Sequence, residues 1–205
     1  MIRRWALPGH RLPAYLALQE WYSTDRALPY YTAIFDPEVT DFYAWTIPKG
    51  DHLLVGAAVP RDGARERFQL LKEKLRARGF EFGRLAKREG CLLLRPRGPR
   101  HLALGARNLA LVGEAAGWIS PSSAEGLSYA MRSALALARA MDAGLEGLVA
   151  RYRAATRGLA ANLTGKHAES LVMYDGRLRG LVLASGVSSA RTVDRTGDSG
   201  RQNQH

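Results

Sequence analysis

The sequence lacks several features that would assign the protein to a structural or functional class. Its 205 residues include one cysteine, Cys91, so no intramolecular disulfide can form and a reducing compartment is favoured. No run of about 18 apolar residues occurs, which predicts that no segment spans a membrane. The first residues lack the apolar core of a signal peptide. The five histidines are scattered without metal-ligand spacing. We therefore expect a globular cytoplasmic protein without a metal centre.

The charge balance is strongly positive. The formal net charge is +11, and residues 61–100 carry thirteen Lys and Arg against five Asp and Glu. Such a surface can bind nucleic acid, an anionic membrane surface or a phosphorylated ligand, and it is also typical of a solvated helix face in an Arg-rich chain. No zinc-finger spacing, RNP-like aromatic motif or basic recognition helix accompanies the charge. A nucleic-acid partner is therefore disfavoured, whereas peripheral membrane association stays open as an alternative.

Hydrophobic patterning predicts an α/β chain with α+β character. Residues 12–22 are predicted to lead into an antiparallel meander of strands at 29–35, 41–47 and 52–59, with a turn at 48–51. Residues 62–78 have apolar side chains at helical spacing and predict an amphipathic helix that ends at Gly79. A short strand is predicted at 91–96, where Cys91 is interpreted as a buried structural thiol rather than a redox one.

The second half of the chain has a different pattern. Residues 108–113 are apolar throughout and predict a strand buried on both faces. A long helix is predicted over 122–143, and a second helix over 145–164 or beyond. The residues after 186 are polar and aperiodic, which predicts a disordered tail. The resulting domain prediction is a sheet domain over 1–100, a helical domain over 101–186 and a tail over 187–205.

The glycine and proline residues of the segment 111–126, LVGEAAGWISPSSAEG, suggest that its backbone closely approaches a ligand. Ser122 and Glu125 fit a capping box at the start of the long helix, and Gly126 has no side chain to cover the backbone of the first helical turn. A helix N-terminus offers unpaired N–H groups and a partial positive charge to an anion. Glu114 would place a carboxylate where it can accept hydrogen bonds from sugar hydroxyls. The alternative is an ordinary strand–loop–helix connection with a good cap and turn glycines.

This stretch resembles the second flavin-binding motif of the geranylgeranyl reductase family, within the p-hydroxybenzoate-hydroxylase-like flavoproteins. The family motif reads approximately G-D-A-A-G, then Pro, then G-x-G or G-E-G. It stands here as Gly113-Glu114-Ala115-Ala116-Gly117, then Pro121, then Glu125-Gly126-Leu127, with Glu in place of Asp at 114. The resemblance implies that Glu114 binds the ribityl chain of FAD and that backbone from Pro121 to Leu127 lies against the isoalloxazine ring.

A second stretch is similar to the Y-x-W-x-F-P-K motif of the same family. It reads Tyr43-Ala44-Trp45-Thr46-Ile47-Pro48-Lys49 and is followed by Gly56-Ala57-Ala58. The resemblance, which extends over about residues 1–186, implies that Tyr43, Trp45, Ile47, Pro48, Lys49 and Gly56 bind an apolar substrate. On the residues alone, the favoured interpretation of Tyr43, Trp45 and Ile47 is one buried face of a strand. Ile47 and Ala58 depart from the usual Phe and Gly of the family.

The resemblance implies an FAD-dependent oxidoreductase that reduces C=C bonds of an isoprenoid through reduced flavin, with NAD(P)H as a candidate electron donor. Such flavoproteins hold the FAD pyrophosphate with an N-terminal G-x-G-x-x-G segment, and this sequence contains none. The resemblance therefore implies that residues 1–100 form the substrate-side antiparallel sheet with one amphipathic helix, and that residues 101–186 form the C-terminal part of an FAD-binding domain and end in helices. The alternative is a truncated or split-gene fragment that needs a partner chain carrying the dinucleotide-binding half. We expect FAD binding by this chain alone to be weak, because each ~1.4 kcal/mol lost lowers affinity tenfold.

Overall fold

The computed structural model describes residues 12–25, 28–106 and 109–185. The described chain divides into two compact units: residues 15–92 with 174–185, and residues 12–14 with 93–173. The start of the chain and the predicted tail at 187–205 lie outside the described residues. The domain boundary predicted near residue 100 stays a prediction.

The first unit is built on a five-stranded sheet. Its strands are β1 (Ala14–Ser23), β2 (Thr32–Ile34), β3 (Ala44–Lys49), β4 (His52–Pro60) and β5 (Leu85–Leu94), in the spatial order β2-β3-β4-β1-β5. The β2–β3, β3–β4 and β4–β1 pairs are antiparallel. The predicted antiparallel sheet is therefore confirmed, and so is the predicted strand at 52–59.

The role predicted for residues 12–22 is wrong, because they form a full strand rather than a lead-in. β1 pairs with β4 over nine residues, from Tyr15 opposite Pro60 to Ser23 opposite His52. The signal was hidden by Glu20, which is only 2% exposed although it is charged. A carboxylate on the buried face breaks the alternation of apolar and polar residues that usually identifies a strand.

One face of the sheet is covered by helix α1 (Ala64–Arg76). Phe68, Leu71 and Leu75 of the helix are buried in one cluster with Val55 and Ala57 of β4 and their neighbours. The predicted amphipathic helix is confirmed. It ends as the pattern indicated: Gly79 has a φ of +85°, and the N–H of Phe80 donates to the carbonyl of Leu75.

The interpretation of Cys91 as a buried thiol is wrong, because its side chain is exposed. It lies on β5, which is ten residues long rather than the short strand predicted at 91–96. Among the described strands, β5 is at the edge of the sheet and has β1 as its one neighbour. Its apolar residues are consequently less covered than those of a central strand, and Leu92 is 58% exposed.

The second unit is mainly helical. After a 3₁₀ turn (Pro99–His101) come the short strands β6 (Gly105–Ala106) and β7 (Leu109–Ala110), which pair antiparallel. The helices are α2 (Gly113–Ala116), α3 (Leu127–Met141), α4 (Leu148–Ala155) and α5 (Arg157–Tyr174). A buried cluster at their centre contains Trp118, Tyr129, Tyr152, Leu159 and Leu163.

Three predictions for this unit need correction. The strand predicted over 108–113 is two residues long, and Leu109 and Ala110 are half-buried rather than covered on both faces. The long helix begins at Leu127, five residues later than predicted. The helix predicted from 145 is two helices, because Thr156 (φ −100°, ψ 7°) leaves helical geometry between α4 and α5.

A last helix, α6 (Gly176–Ala184), belongs to the sheet unit. The ring of Tyr174, just before it, packs 5.1 Å from the ring of Phe42, and the Arg179 guanidinium lies 4.5 Å from the centre of the Phe35 ring. In the part of the chain that the structure describes, none of the helices is long and apolar enough to cross a bilayer.

Candidate functional site

The loop between β7 and α3 is held in place by a buried aromatic pair. Trp118 is fully buried and its Nε1 donates to the hydroxyl of Tyr152 at 3.1 Å. The Tyr152 hydroxyl in turn donates to the carbonyl of Leu111 at 3.1 Å. Burial raises the pKa of Tyr152, so the hydroxyl keeps the proton that it donates. The two ends of the segment 111–118 are thereby tied to one residue of α4.

Glycine is favoured at position 113 by its backbone conformation and by close packing against α3. Its φ is +56°, and a Cβ built on it would lie 3.1 Å from the Cβ of Ala130 on α3. Its N–H donates to Ser133 Oγ at 3.0 Å. Gly117 ends the single turn of α2 with a φ of +90°. Both glycines let the chain reverse closely against α3.

Glu114 carries an exposed carboxylate at the surface of this loop. Its Oε1 accepts a hydrogen bond from the N–H of Leu94 at 3.0 Å, which fixes the side chain over the end of β5. Its Oε2 accepts no hydrogen bond from the described residues. The side chain is therefore held in one place with one acceptor oxygen available to a ligand, and Ala115 beside it is also exposed.

The predicted capping box is wrong in its first member. Ser122 is buried, and its Oγ pairs with Ser120 Oγ at 3.1 Å rather than with the helix. Residues 120–125 close a tight turn in which Ala124 takes a left-handed φ of +58°, so a helix cannot start at 122. The cap is supplied instead by Glu125, whose Oε1 accepts from the N–H of Ser128 at 2.8 Å.

The start of α3 presents backbone donors. The N–H groups of Gly126 and Leu127 make no hydrogen bond to any described residue. Gly126 precedes the helix with a φ of −131°, and the Leu127 side chain is 70% exposed. Donors at a helix N-terminus suit an anion or a ring that carries negative charge. The positive φ of Ala124 just before them is a strained conformation of the kind that collects at ligand sites.

These features fit the flavin expected from the sequence. A carboxylate with a spare acceptor oxygen suits the hydroxyls of a ribityl chain, and free N–H groups suit the polar edge of an isoalloxazine ring. Of the residues predicted to bind cofactor, Gly113, Glu114, Ala115, Gly117, Pro121, Glu125, Gly126 and Leu127 lie along this one continuous loop. Pro121 is buried in its turn and Glu125 is engaged as the helix cap.

The residues predicted to bind substrate lie in the sheet unit, and Tyr43, Trp45, Ile47, Lys49 and Gly56 are on the face that α1 does not cover. Pro48 stands opposite Leu53 and so belongs to the other face. Trp45 on β3 stands directly opposite Gly56 on β4. A Cβ built on Gly56 would lie 2.3 to 2.5 Å from three atoms of the Trp45 indole. The indole therefore lies flat over Gly56, and glycine is required there by close approach. Trp45 Nε1 donates to Gln19 Oε1 at 3.0 Å.

Tyr43 and Ile47 flank Trp45 on the same face, and all three are half-buried. The rings of Tyr43 and Trp45 are 5.6 Å apart, and burial raises the pKa of Tyr43. Pro48 is tolerated in β3 because β2 pairs only as far as Thr46, so the missing N–H removes no ladder bond to β2. Lys49 is exposed, with its Nζ 4.8 Å from the centre of the Trp21 ring.

Sequence reasoning missed the residues of β1 and β5 that complete this face. Trp21 Nε1 donates to Glu89 Oε2 at 2.7 Å, and Gln19 Nε2 donates to the same oxygen at 3.2 Å. Hydrogen bonds from Lys87, Trp21 and Gln19 lower the pKa of Glu89 to about 2. The spacing of Gln19 and Trp21, two residues apart, is the signal that could have placed both on one face once β1 was assigned as a strand.

Comparison with known proteins gives relatives of greater length. The chain is 40% identical over 188 residues to protein CbrA of Escherichia coli, a match that covers 92% of this chain and 51% of the relative. It is 39% identical to protein CbrA of Shigella sonnei, over 92% of this chain and 53% of the relative. The chain thus spans about half the length of these relatives. No family model matches it.

Two solved structures share the fold. A geranylgeranyl bacteriochlorophyll reductase-like protein from Thermoplasma acidophilum matches with a TM-score of 0.63 at 18% identity, over 84% of this chain and 46% of that one. The flavin-dependent halogenase CmlS matches with a TM-score of 0.54 at 16% identity, over 80% of this chain and 32% of that one. These likenesses confirm the predicted fold class, a mixed α+β chain shared with part of such proteins.

Proposed function

We propose that this chain forms part of an FAD-dependent oxidoreductase that reduces C=C bonds of an isoprenoid or a similar apolar substrate. The observation that carries the proposal is the loop 113–127, where Glu114 Oε2 and the N–H groups of Gly126 and Leu127 have no hydrogen-bond partner among the described residues. The shared fold with a reductase-like protein and a flavin-dependent halogenase supports the same cofactor.

FAD, when bound, would supply the redox chemistry. Glu114 would accept hydrogen bonds from the ribityl hydroxyls, with its carboxylate kept in place by the Leu94 N–H. The backbone from Pro121 to Leu127 would lie against the isoalloxazine ring, and the N–H groups at the start of α3 would stabilise negative charge on it. We propose NAD(P)H as the electron donor.

The apolar substrate is proposed to contact Tyr43, Trp45 and Ile47, with Pro48, Lys49 and Gly56 beside them. This face is aromatic and half-buried, as is common in sites for apolar ligands. Gly56 keeps the Trp45 indole flat against the sheet, so the face stays smooth enough for a chain of methyl-branched units to lie along it.

A second proposal concerns a partner that carries the dinucleotide-binding half, without which the chain would have no independent activity. Leu127, Met131 and Leu135 recur every fourth residue on α3 and are 70%, 66% and 52% exposed. An exposed apolar stripe of this kind is typical of a surface that another polypeptide covers. The relatives that match this chain are about twice as long as the match, which supports such a second half.

Flavin retention tests both proposals. The chain is purified alone and after co-expression with the part of the Escherichia coli relative that it does not match, then mixed with FAD, desalted and examined by visible absorption. We expect a weak or absent flavin band for the chain alone and a retained band for the pair. A folded pair that retains no flavin would overturn the flavin proposal, and tight retention by the chain alone would overturn the need for a partner.

Substitutions at Glu114 sharpen the test. We expect Glu114→Ala to weaken FAD binding by the competent form about 12- to 160-fold, because a hydrogen bond to a charged acceptor contributes about 1.5–3 kcal/mol. Glu114→Gln keeps one acceptor oxygen and is the matched control, with a smaller loss. Fluorescence titration of FAD gives both affinities, and equal affinities of Glu114→Ala and the unaltered protein would remove Glu114 from the site.

A further inference from the structure

A row of side chains crosses the sheet from β3 to β5 on the face that α1 does not cover. Trp45 of β3 and Gln19 of β1 both stand opposite Gly56 of β4, one on each side of it. Because Gly56 has no side chain, the Trp45 indole lies over β4, and its Nε1 donates to Gln19 Oε1 at 3.0 Å. Gln19 Nε2 then donates to Glu89 Oε2 on β5 at 3.2 Å. One chain of hydrogen bonds thus joins Trp45 to Glu89, and we call Trp45, Gln19 and Glu89 the polar row.

Glu89 fixes the direction of the hydrogen bonds in the polar row. Lys87 Nζ lies 2.6 Å from Glu89 Oε1, and the hydrogen bonds from Lys87, Trp21 and Gln19 lower the pKa of Glu89 to about 2. Its carboxylate is therefore ionised at neutral pH and can only accept hydrogen bonds. Gln19 must then turn its NH₂ group towards Glu89 and its oxygen towards Trp45, where the indole N–H is a donor without an alternative role. The orientation of the Trp45 indole consequently depends on a carboxylate at the far end of the row.

A second indole uses the same carboxylate. Trp21, two residues after Gln19 on β1, donates its Nε1 to Glu89 Oε2 at 2.7 Å. The N–H groups of Trp21 and Trp45 are therefore both bonded within the protein. A paired polar group can be covered by hydrocarbon at little cost, whereas an unpaired N–H must give up its water when an apolar ligand covers it. The polar row thus makes a half-buried stretch of the sheet suitable for contact with an apolar chain.

We propose that Gln19 and Glu89 are positioning residues for the apolar substrate. They hold the Trp45 indole flat against the sheet and keep its N–H bonded, so that the substrate meets the ring rather than an unpaired donor. Glu89 acts through Gln19 and Trp21, and Gln19 acts through Trp45. Residues that contact a ligand are commonly held in this way by a second set of residues behind them. The inference rests on the function proposed above, because it takes the face of Trp45 as the substrate site.

The test uses geraniol as the probe and the purified chain without flavin. The indole N–H resonances are followed in ¹⁵N–¹H spectra during titration and are assigned with Trp45→Phe and Trp21→Phe. We expect saturable shifts at Trp45 and Trp21 and none at Trp118, which is buried in the helical unit. Resonances of Trp45 and Trp21 that stay in place up to the solubility limit of geraniol would overturn the substrate face, and this inference with it.

Substitutions at Glu89 separate positioning from direct contact. Glu89→Ala removes the acceptor that Gln19 and Trp21 share, and it should weaken geraniol binding at least about 5-fold, the equivalent of about 1 kcal/mol for one polar group left unpaired. It should also shift the Trp45 N–H resonance without ligand, an effect that passes through Gln19. Glu89→Gln keeps a side-chain oxygen that can accept from both donors, so it is the matched control and should bind within about twofold of the unaltered chain. Equal losses of affinity in Glu89→Ala and Glu89→Gln, or no loss in Glu89→Ala, would overturn the inference.

A second position covers the case in which Glu89→Ala does not fold. Gln19→Leu leaves the Trp45 N–H without its acceptor and should weaken geraniol binding by a similar factor, whereas Trp21→Phe keeps the polar row and should leave the Trp45 resonance in place. Gln19→Leu that binds geraniol as tightly as the unaltered chain would overturn the inference. In that outcome geraniol still binds at Trp45, so the substrate face stands and the two failures are distinguishable. None of these readouts involves FAD.

Discussion

Replacing Gly56 by alanine tests the close approach between β3 and β4. An added Cβ would meet three atoms of the Trp45 indole at 2.3 to 2.5 Å, whereas carbon atoms in favourable contact are about 3.5–4.0 Å apart. The indole must therefore move by about 1 Å or more. Such a movement strains its hydrogen bond to Gln19, which is 3.0 Å long, and its packing against Tyr43.

The expected cost follows from three contributions. Overpacking costs about 1–3 kcal/mol, and loss of the Trp45–Gln19 hydrogen bond costs about 0.5–1.5 kcal/mol. The reduced freedom of alanine in the unfolded chain offsets about 0.4–1 kcal/mol. We expect a net decrease of about 1–3 kcal/mol in the free energy of unfolding, measured by urea denaturation followed by tryptophan fluorescence. For a chain of this size each kcal/mol lowers Tm by about 2–4 °C.

A double-mutant cycle isolates the contact. In a Trp45→Ala background the indole is gone, so Gly56→Ala should be neutral or slightly stabilising. The coupling between the two positions should then be about 1–3 kcal/mol, within the range for residues in direct contact. A loss of stability from Gly56→Ala that is the same with and without the indole would refute the reasoning, and it would point to the backbone conformation of Gly56 instead.

Two further changes test buried polar contacts. Glu20 accepts hydrogen bonds from Lys72 at 2.9 Å and Arg88 at 2.7 Å and also from Tyr22; burial acts to raise its pKa, but these bonds outweigh burial and leave the pKa lowered. The stabilisation by Glu20 should therefore be complete above its unfolded pKa of about 4.3 and be lost as the pH falls through its lower folded pKa. Urea midpoints measured between pH 7 and 3 should fall less steeply with acid in Glu20→Gln than in the unaltered chain. Midpoints that fall equally in both proteins would contradict this. Tyr152→Phe leaves the Trp118 Nε1 and the Leu111 carbonyl unpaired and should lower the free energy of unfolding by about 1–3 kcal/mol. Thr164→Val, which loses only a hydroxyl bond within α5, should lower it less. Equal losses of stability in thermal unfolding would contradict the role given to the Trp118–Tyr152 pair.

The sequence pattern predicted the parts of this fold that depend on local periodicity. The helix with Phe68, Leu71 and Leu75 on one face and the strand 52–59 follow from spacing alone. β1 and the start of α3 could not be predicted in this way. The buried charge of Glu20 is explained only by Lys72, 52 residues away, and by Arg88, 68 residues away. The late start of α3 depends on the left-handed turn at Ala124, which the high helix propensity of alanine does not predict.

The motif selected the residues of the candidate site, and their role stays a prediction; how the loop is held could not be predicted from the sequence. The loop 113–127 was identified from its motif, and the structure shows that it is held from within the same unit by the Trp118–Tyr152 pair and by the hydrogen bond from Gly113 to Ser133. A loop fixed in this way does not need a ligand to order it. Binding energy gained at Glu114 and at the start of α3 would then not be spent on loop ordering, which otherwise costs about 0.5–1.5 kcal/mol for each immobilised side chain. The described residues leave the apolar stripe of Leu127, Met131 and Leu135 exposed beside this loop. The shape of this loop is thus built into the chain, and covering that stripe is the contribution that we propose for a second polypeptide.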